Sequence, residues 1–274
     1  MADSRMPEEF YEVVAHHLPP GEPVGPQGGR PRIENRVVLK VLWYVLATGC
    51  RWNDVPPDMG CSGETARTRL IEWEQLGVWA RVHLDMLRLL RRDGELETQT
   101  AIVDSVQVRA LGGGEKTGPS PVDRRKPGTK YTFVVNRQGV PLGVRVTGAN
   151  ASDQQQIEPL LREKFPPIAG RAGRPRTHPQ RVYADAGYDS QSNRNILRCL
   201  GIEPFIRRRG APHGSHLGRV RWVVERTISW IKGLRRMRVR YDRLDEAIVA
   251  WASLAMSIIN FRIWHHDLAT SAPH

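Results

Sequence analysis

Cysteine is scarce in this chain of 274 residues: Cys50, Cys61 and Cys199 are odd in number and show no CxxC spacing. That excludes a disulfide framework or a cysteine-built zinc site, and the thiols read as reduced, as in a cytosolic protein. No uninterrupted apolar run of about 18 residues occurs, so no membrane-spanning segment is expected. The N-terminal MADSRMPEEF is acidic and lacks an apolar h-region, which argues against a secretory signal. GGGEKTG at 112–118 resembles a phosphate loop but lacks the GxxxxGK[ST] spacing, so ATP use is not expected. His16 and His17, His213 and His216, and His265 and His266 have no second pair at zinc-finger spacing and read as surface residues.

Acidic residues are the minority. Asp and Glu number 29 against 41 Lys and Arg, for a net charge of +12 and a pI near 10.2. Hydrophobic content of 40% and charge of 26% fit a soluble globular protein long enough for one large domain or two modest ones. The excess charge is concentrated. Residues 207–243 carry twelve Lys or Arg and only two acids, Glu225 and Asp242. A polyanionic partner is expected, since cations gain affinity for nucleic acid by releasing its condensed counterions.

Residues 19–32 are rich in Pro and Gly and read as a loop or arm. Apolar residues at helical spacing predict a helix over 35–48, stopped by Gly49. Ser62 caps a second helix that bears Thr65, Arg67, Thr68 and Arg69 on one side. Gly77 ends it, and a third helix spans 78–90. A polar, arginine-bearing second helix fits a helix-turn-helix with those four residues reaching base edges. A plain helical bundle with a solvated basic face fits the same pattern.

After Gly94 the pattern changes. Strands are expected at 100–108, 131–135, 142–146, 181–185 and 203–206, the second and third joined as a hairpin through residues 136–139. Helices are expected from Asp153 to about 165, over 190–200, from 219 to about 238 and from 244 to about 264. Together they make an α/β domain with a mixed sheet.

Three carboxylates stand in suggestive places. Asp104 interrupts an apolar strand, where Asp is disfavoured. Asp185 ends a strand, where ligand sites in open α/β sheets tend to lie. Glu225 is on the basic helix. At 100° per residue, Arg221, Glu225, Ser229, Lys232 and Arg236 fall within about 40° of one line, opposite an apolar face. Carboxylates of this kind can hold two Mg²⁺ ions for phosphodiester cleavage. Each also has a structural reading: Asp104 at a bulge or edge, Asp185 bracing a turn, Glu225 paired with Arg221 or Arg226. Asp189 reads as a helix cap; Asp153 reads as another cap or as a fourth acid.

VDS at 103–105, ADAGYDS at 184–190 and RWVVERTISWIKGLRRMRVRYDRL at 221–244 resemble the three blocks of DDE transposases, in particular the bacterial insertion-sequence-five (IS4/IS5-like) family. GRPR at 29–32, ATGCRWNDVP at 47–56, RLIEWEQLGVW at 69–79 and TGANASD at 147–153 extend the resemblance over nearly the whole chain. It implies an RNase H-like catalytic core over residues 98–274, preceded by an all-α, helix-turn-helix-like DNA-binding domain over 1–97. It also implies Asp104, Asp185 and Glu225 as catalytic metal ligands for Mg²⁺ or Mn²⁺, two ions in all. Arg221 and Lys232 match the family's phosphate-holding cations, and Arg235 and Arg236 extend that basic stretch. The related pattern places a Tyr where this chain has Gly218. The expected activity is binding of terminal inverted repeats with cleavage and strand transfer, by a homodimer or higher oligomer on double-stranded DNA, in the bacterial cytoplasm and without membrane association. The alternatives are another RNase H-like nuclease or a transposase-derived DNA-binding protein that no longer cuts.

Overall fold

The computed structural model describes residues 4–21, 28, 31–168, 177–208, 210 and 218–266, with only the backbone of Gly218 and Arg219. Gly29, Arg30, Arg209, His213 and His216 lie outside the described residues.

The N-terminal third is helical: α1 (Glu8–Val14), α2 (Asn35–Thr48), α3 (Gly63–Gln75) and α4 (Val78–Arg92). Helix α1 was not expected from the sequence. It is anchored by Phe10, which is buried and meets Trp43 and Phe261 edge-on at 5.1 and 5.3 Å. Helix α2 ends at Gly49 as expected, and Ser62 caps α3 by accepting the Thr65 amide at 3.2 Å. Residues 49–62 between α2 and α3 include two single-turn helices, so this connection is longer than the tight turn of a helix-turn-helix. The tight turn falls between α3 and α4, at Leu76–Gly77.

The remainder builds a sheet from β1 (Thr100–Ala110), β2 (Gly118–Pro119), β3 (Pro127–Val135), β4 (Pro141–Gly148), β5 (Arg181–Ala184), β6 (Glu203–Ile206) and β7 (Val239–Arg240). Strand β1 is the pivot. It pairs antiparallel with β3, which carries β4 as its hairpin partner, and parallel with β5, which pairs parallel with β6. An antiparallel three-strand block continued by two parallel strands is the mixed sheet of an RNase H-like core. The short β7 pairs with the far end of β1.

Helices α5 (Ile157–Glu163), α6 (Gln191–Cys199), α7 (Gly218–Gly233) and α8 (Asp245–Trp264) complete the chain. Helix α7 lies over β1, β3 and β5 and buries Val223, Val224 and Ile231. Helix α8 is long and apolar enough to cross a membrane by composition alone. It is instead the central core helix, packed by α3, α4 and β4 and apolar nearly all round because it is covered nearly all round. The hydrophobic core is therefore continuous from the N-terminal helices into the sheet.

The 112–118 loop is fastened down. Arg240, 4% exposed, donates to the carbonyls of Gly113 and Glu115 and to the Thr117 hydroxyl. At Gly114 the backbone has φ +86, and a Cβ would lie 2.5 Å from the Arg243 carbonyl oxygen. Only glycine fits this left-handed, close-packed position.

Candidate active site

Parallel register places the first two acids. Ile102 of β1 pairs with Tyr183 of β5, and continuing the register two residues sets Asp104 beside Asp185. Asp185 directly follows β5 and caps a single-turn helix at 186–188, its Oδ1 accepting the Gly187 amide at 2.8 Å. Burial raises the Asp104 pKa, and the charge of Asp185 pushes it the same way, against the Ser105 amide and Arg221.

Helix α7 brings the third acid. Arg221 Nη2 lies 3.4 Å from Asp104 Oδ2 and 3.7 Å from Glu225 Oε1, so one guanidinium nitrogen stands between the strand acid and the helix acid. Glu225 remains 61% exposed, and Ser229 and Lys232 follow it on the solvent face of α7. Arg226 turns elsewhere: its guanidinium sits 4.6 Å from both the Trp222 and Trp230 rings and donates to the Gln138 carbonyl.

A fourth carboxylate reaches this neighbourhood. Asp153 heads a single-turn helix, and its Oδ1 accepts from Lys130 Nζ at 2.8 Å and from Ser105 Oγ at 3.3 Å. A Cβ on Gly187 would lie 2.9 Å from Asp185 Oδ1 and 3.3 Å from Asp153 Oδ2, so both carboxylates flank the same bare backbone. Beneath them Tyr188 is buried; burial and the charges of Asp153, Asp104 and Asp185 keep its phenol well above the usual range. Lys130, 3% exposed in the middle of β3, was missed in the sequence. Its signal is a lysine in an otherwise apolar central strand, which must have a buried partner.

Several expected contacts are corrected. Arg236 does not extend the α7 stripe, because the helix stops at Gly233 and a tight turn carries Arg236 inward. There it is 4% exposed, pairs with Asp242 at 2.9 Å and packs near Trp52, Tyr241 and Trp251. Arg69, 6% exposed, bonds Asn35 on the inner side of α3 and cannot reach a base edge from there. Thr68 is exposed, Arg67 is ion-paired with Glu64, and Thr65 bonds the Ser62 cap. Arg235 is exposed and lines a cleft with Arg238 and Arg262. Ser190, not Asp189, caps α6, and Asp189 pairs with Arg194 at 2.8 Å.

The mixed sheet flanked by helices, with the acids on β1 and α7 and beside β5, is an RNase H-like core. The family model for the "Transposase DDE domain" matches residues 95–260, and that for the "Putative transposase of IS4/5 family" matches residues 6–83. The "Putative transposase for insertion sequence element IS402" of Burkholderia cepacia is 46% identical over 147 residues, covering 54% of this chain and 69% of that one. An "Insertion element IS402 uncharacterized 16.2 kDa protein" from the same organism is 39% identical over 129 residues, 46% of this chain and 88% of the other. Among solved structures, the catalytic domain of Mos1 mariner transposase aligns with 72% of this chain and 89% of its own at 10% identity and a TM-score of 0.33. The chain belongs to the DDE transposase family, of the IS4/IS5 kind, and its function is DNA transposition.

Proposed function

We propose that the chain binds the terminal inverted repeats of an insertion sequence and performs metal-dependent strand cleavage and transfer, with Asp104, Asp185 and Glu225 as the catalytic carboxylates. The observation that carries this reading is the single Arg221 nitrogen between Asp104 and Glu225, with Asp185 on the adjoining strand.

The donor set suits a hard divalent cation. Three carboxylates supply oxygen ligands, and a buried Asp104 next to another acid is in an environment that added positive charge relieves. Asp104, Asp185 and Glu225 would hold two Mg²⁺ or Mn²⁺ ions. Bound there, such ions would supply Lewis-acid activation of a water or hydroxyl and charge stabilisation of the leaving oxygen. Arg221 moves from its acids to a DNA phosphate, and Lys232 and Arg235 grip the backbone further along. Residues 98–274 carry this chemistry. Residues 1–97 contribute end recognition through the exposed side of α3, with Thr68 and Arg67 foremost. A homodimer or larger assembly brings two ends together on double-stranded DNA in the cytoplasm.

The test separates chemistry from grip on one helix face. In a cleavage assay on DNA bearing the element's ends, Glu225→Gln abolishes cutting in Mg²⁺ and leaves end binding intact. Lys232→Ala weakens binding and lowers its salt dependence by about one unit of slope, as for one lost phosphate contact. Undiminished cutting by Glu225→Gln would return Glu225 to an ordinary ion pair with Arg221.

A further inference from the structure

In the N-terminal third of the chain, the turn after α1 meets α4. His16 and His17 both present Nε2 to Asp85 Oδ2, at 3.1 and 2.8 Å. Among the described residues, these three form the one group of His, Cys, Asp and Glu whose ligand atoms all lie within 4.8 Å of one another. We propose that His16, His17 and Asp85 bind a borderline transition-metal cation of the Zn²⁺, Co²⁺ or Ni²⁺ class, clipping the N-terminal segment to α4.

The two His–Asp spacings, 3.1 and 2.8 Å, are close to those of a coordination shell. With metal–nitrogen and metal–oxygen bonds near 2.0–2.2 Å, tetrahedral ligands lie about 3.3 Å apart, so entry of an ion requires only small shifts. The two imidazoles stand side by side, ring centroids 3.9 Å apart, and direct both nitrogens at the same oxygen. Arg88 Nη1 donates to the other oxygen, Asp85 Oδ1, at 2.7 Å. That contact fixes the carboxylate and leaves Oδ2 for a metal, the role an outer hydrogen bond plays around metal ligands.

Exposure is graded in the way an accessible site requires. The His17 and Asp85 side chains are 12% and 21% exposed, whereas His16 is 60% exposed and provides the entry path and room for a water ligand. Arg81 and Arg88 flank the site and oppose added positive charge, so its affinity falls below that of a closed four-ligand centre. Imidazole donors select against Mg²⁺, which prefers oxygen, so this position is chemically separate from the carboxylate site.

The consequence is mechanical. Phe10 anchors α1 in the core, and a metal at residues 16, 17 and 85 fastens its C-terminal end just ahead of the Pro- and Gly-rich segment leading to α2. An ion that binds only this folded arrangement stabilises it in proportion to its occupancy.

Titration calorimetry of the untagged full-length protein with Ni²⁺, in excess Mg²⁺, tests the site without measuring activity. One Ni²⁺ equivalent binds the parent protein and raises its melting temperature. His16→Ala, at an exposed position safe for folding, weakens that equivalent by about tenfold or more, and Asp85→Asn weakens it comparably. Absence of Ni²⁺ binding to the parent protein, or binding to His16→Ala with unchanged affinity, overturns the proposal.

Discussion

Arg221 Nη2 stands 3.4 Å from Asp104 Oδ2, and the same nitrogen lies 3.7 Å from Glu225. A residue of the basic helix thus supplies a positive charge to the strand acid. In the proposed function, the ion pair and metal binding are alternative states of one carboxylate set. Arg221→Ala removes the competing cation, so Mn²⁺ binding measured by calorimetry tightens. Cleavage nevertheless slows by about 10²-fold, the scale of losing one positioned charge-stabilising donor. Weaker Mn²⁺ binding in this variant would show that Arg221 supports the acids and does not compete for them.

Asp104 is costly to keep charged. Its pKa is raised by burial, so the folded state holds its proton more tightly than the unfolded chain. Stability therefore falls as pH rises from the unfolded value through the folded one. Asp104→Asn should melt higher than the parent at neutral pH, with the gain vanishing below the ordinary Asp value of about 3.9. The same variant should not cut DNA. Equal melting temperatures across the pH range would mean that Arg221 fully compensates the charge.

Gly187 separates two carboxylates that any side chain would push apart, with Asp185 Oδ1 at 2.9 Å from a Cβ there. Gly187→Ala should leave circular dichroism unchanged and lower the cleavage rate by about 10²-fold, as misplacements near 1 Å can. A rate within twofold of the parent would show that Asp185 retains its working position after adjustment.

Asp242 joins the N-terminal helices to the core. Its carboxylate accepts from Arg236 at 2.9 Å, Trp52 at 3.2 Å and Trp251 at 3.0 Å, with Arg236 and Asp242 side chains 2% and 7% exposed. Asp242→Ala leaves a buried guanidinium unpaired and should cost about 3–5 kcal/mol in equilibrium urea unfolding. A loss under about 1 kcal/mol would indicate that water reaches Arg236 readily.

Local signals determined much of this protein. Apolar spacing, Gly49 and Gly77 placed α2, α3 and α4, and β-branched runs placed β1, β3, β4, β5 and β6 within a few residues. The exposed face bearing Glu225, Ser229 and Lys232 follows from helical periodicity, because α7 is regular across all three. The same extrapolation failed at Arg236: periodicity holds only while the helix lasts, and Gly233 ends it. Arg69 was likewise expected to reach base edges, although it is buried and bonded to Asn35, 34 residues away. Lys130 and Asp153 are 23 residues apart, and their pairing arises from the β3–β4 hairpin and the turn that follows it. Only the parallel β1–β5 register, together with α7 laid across those strands, decides that Asp104 adjoins Asp185 and shares Arg221 with Glu225. Periodicity is a property of neighbouring residues, whereas a site made from two strands and a helix exists only once long-range packing sets their separation.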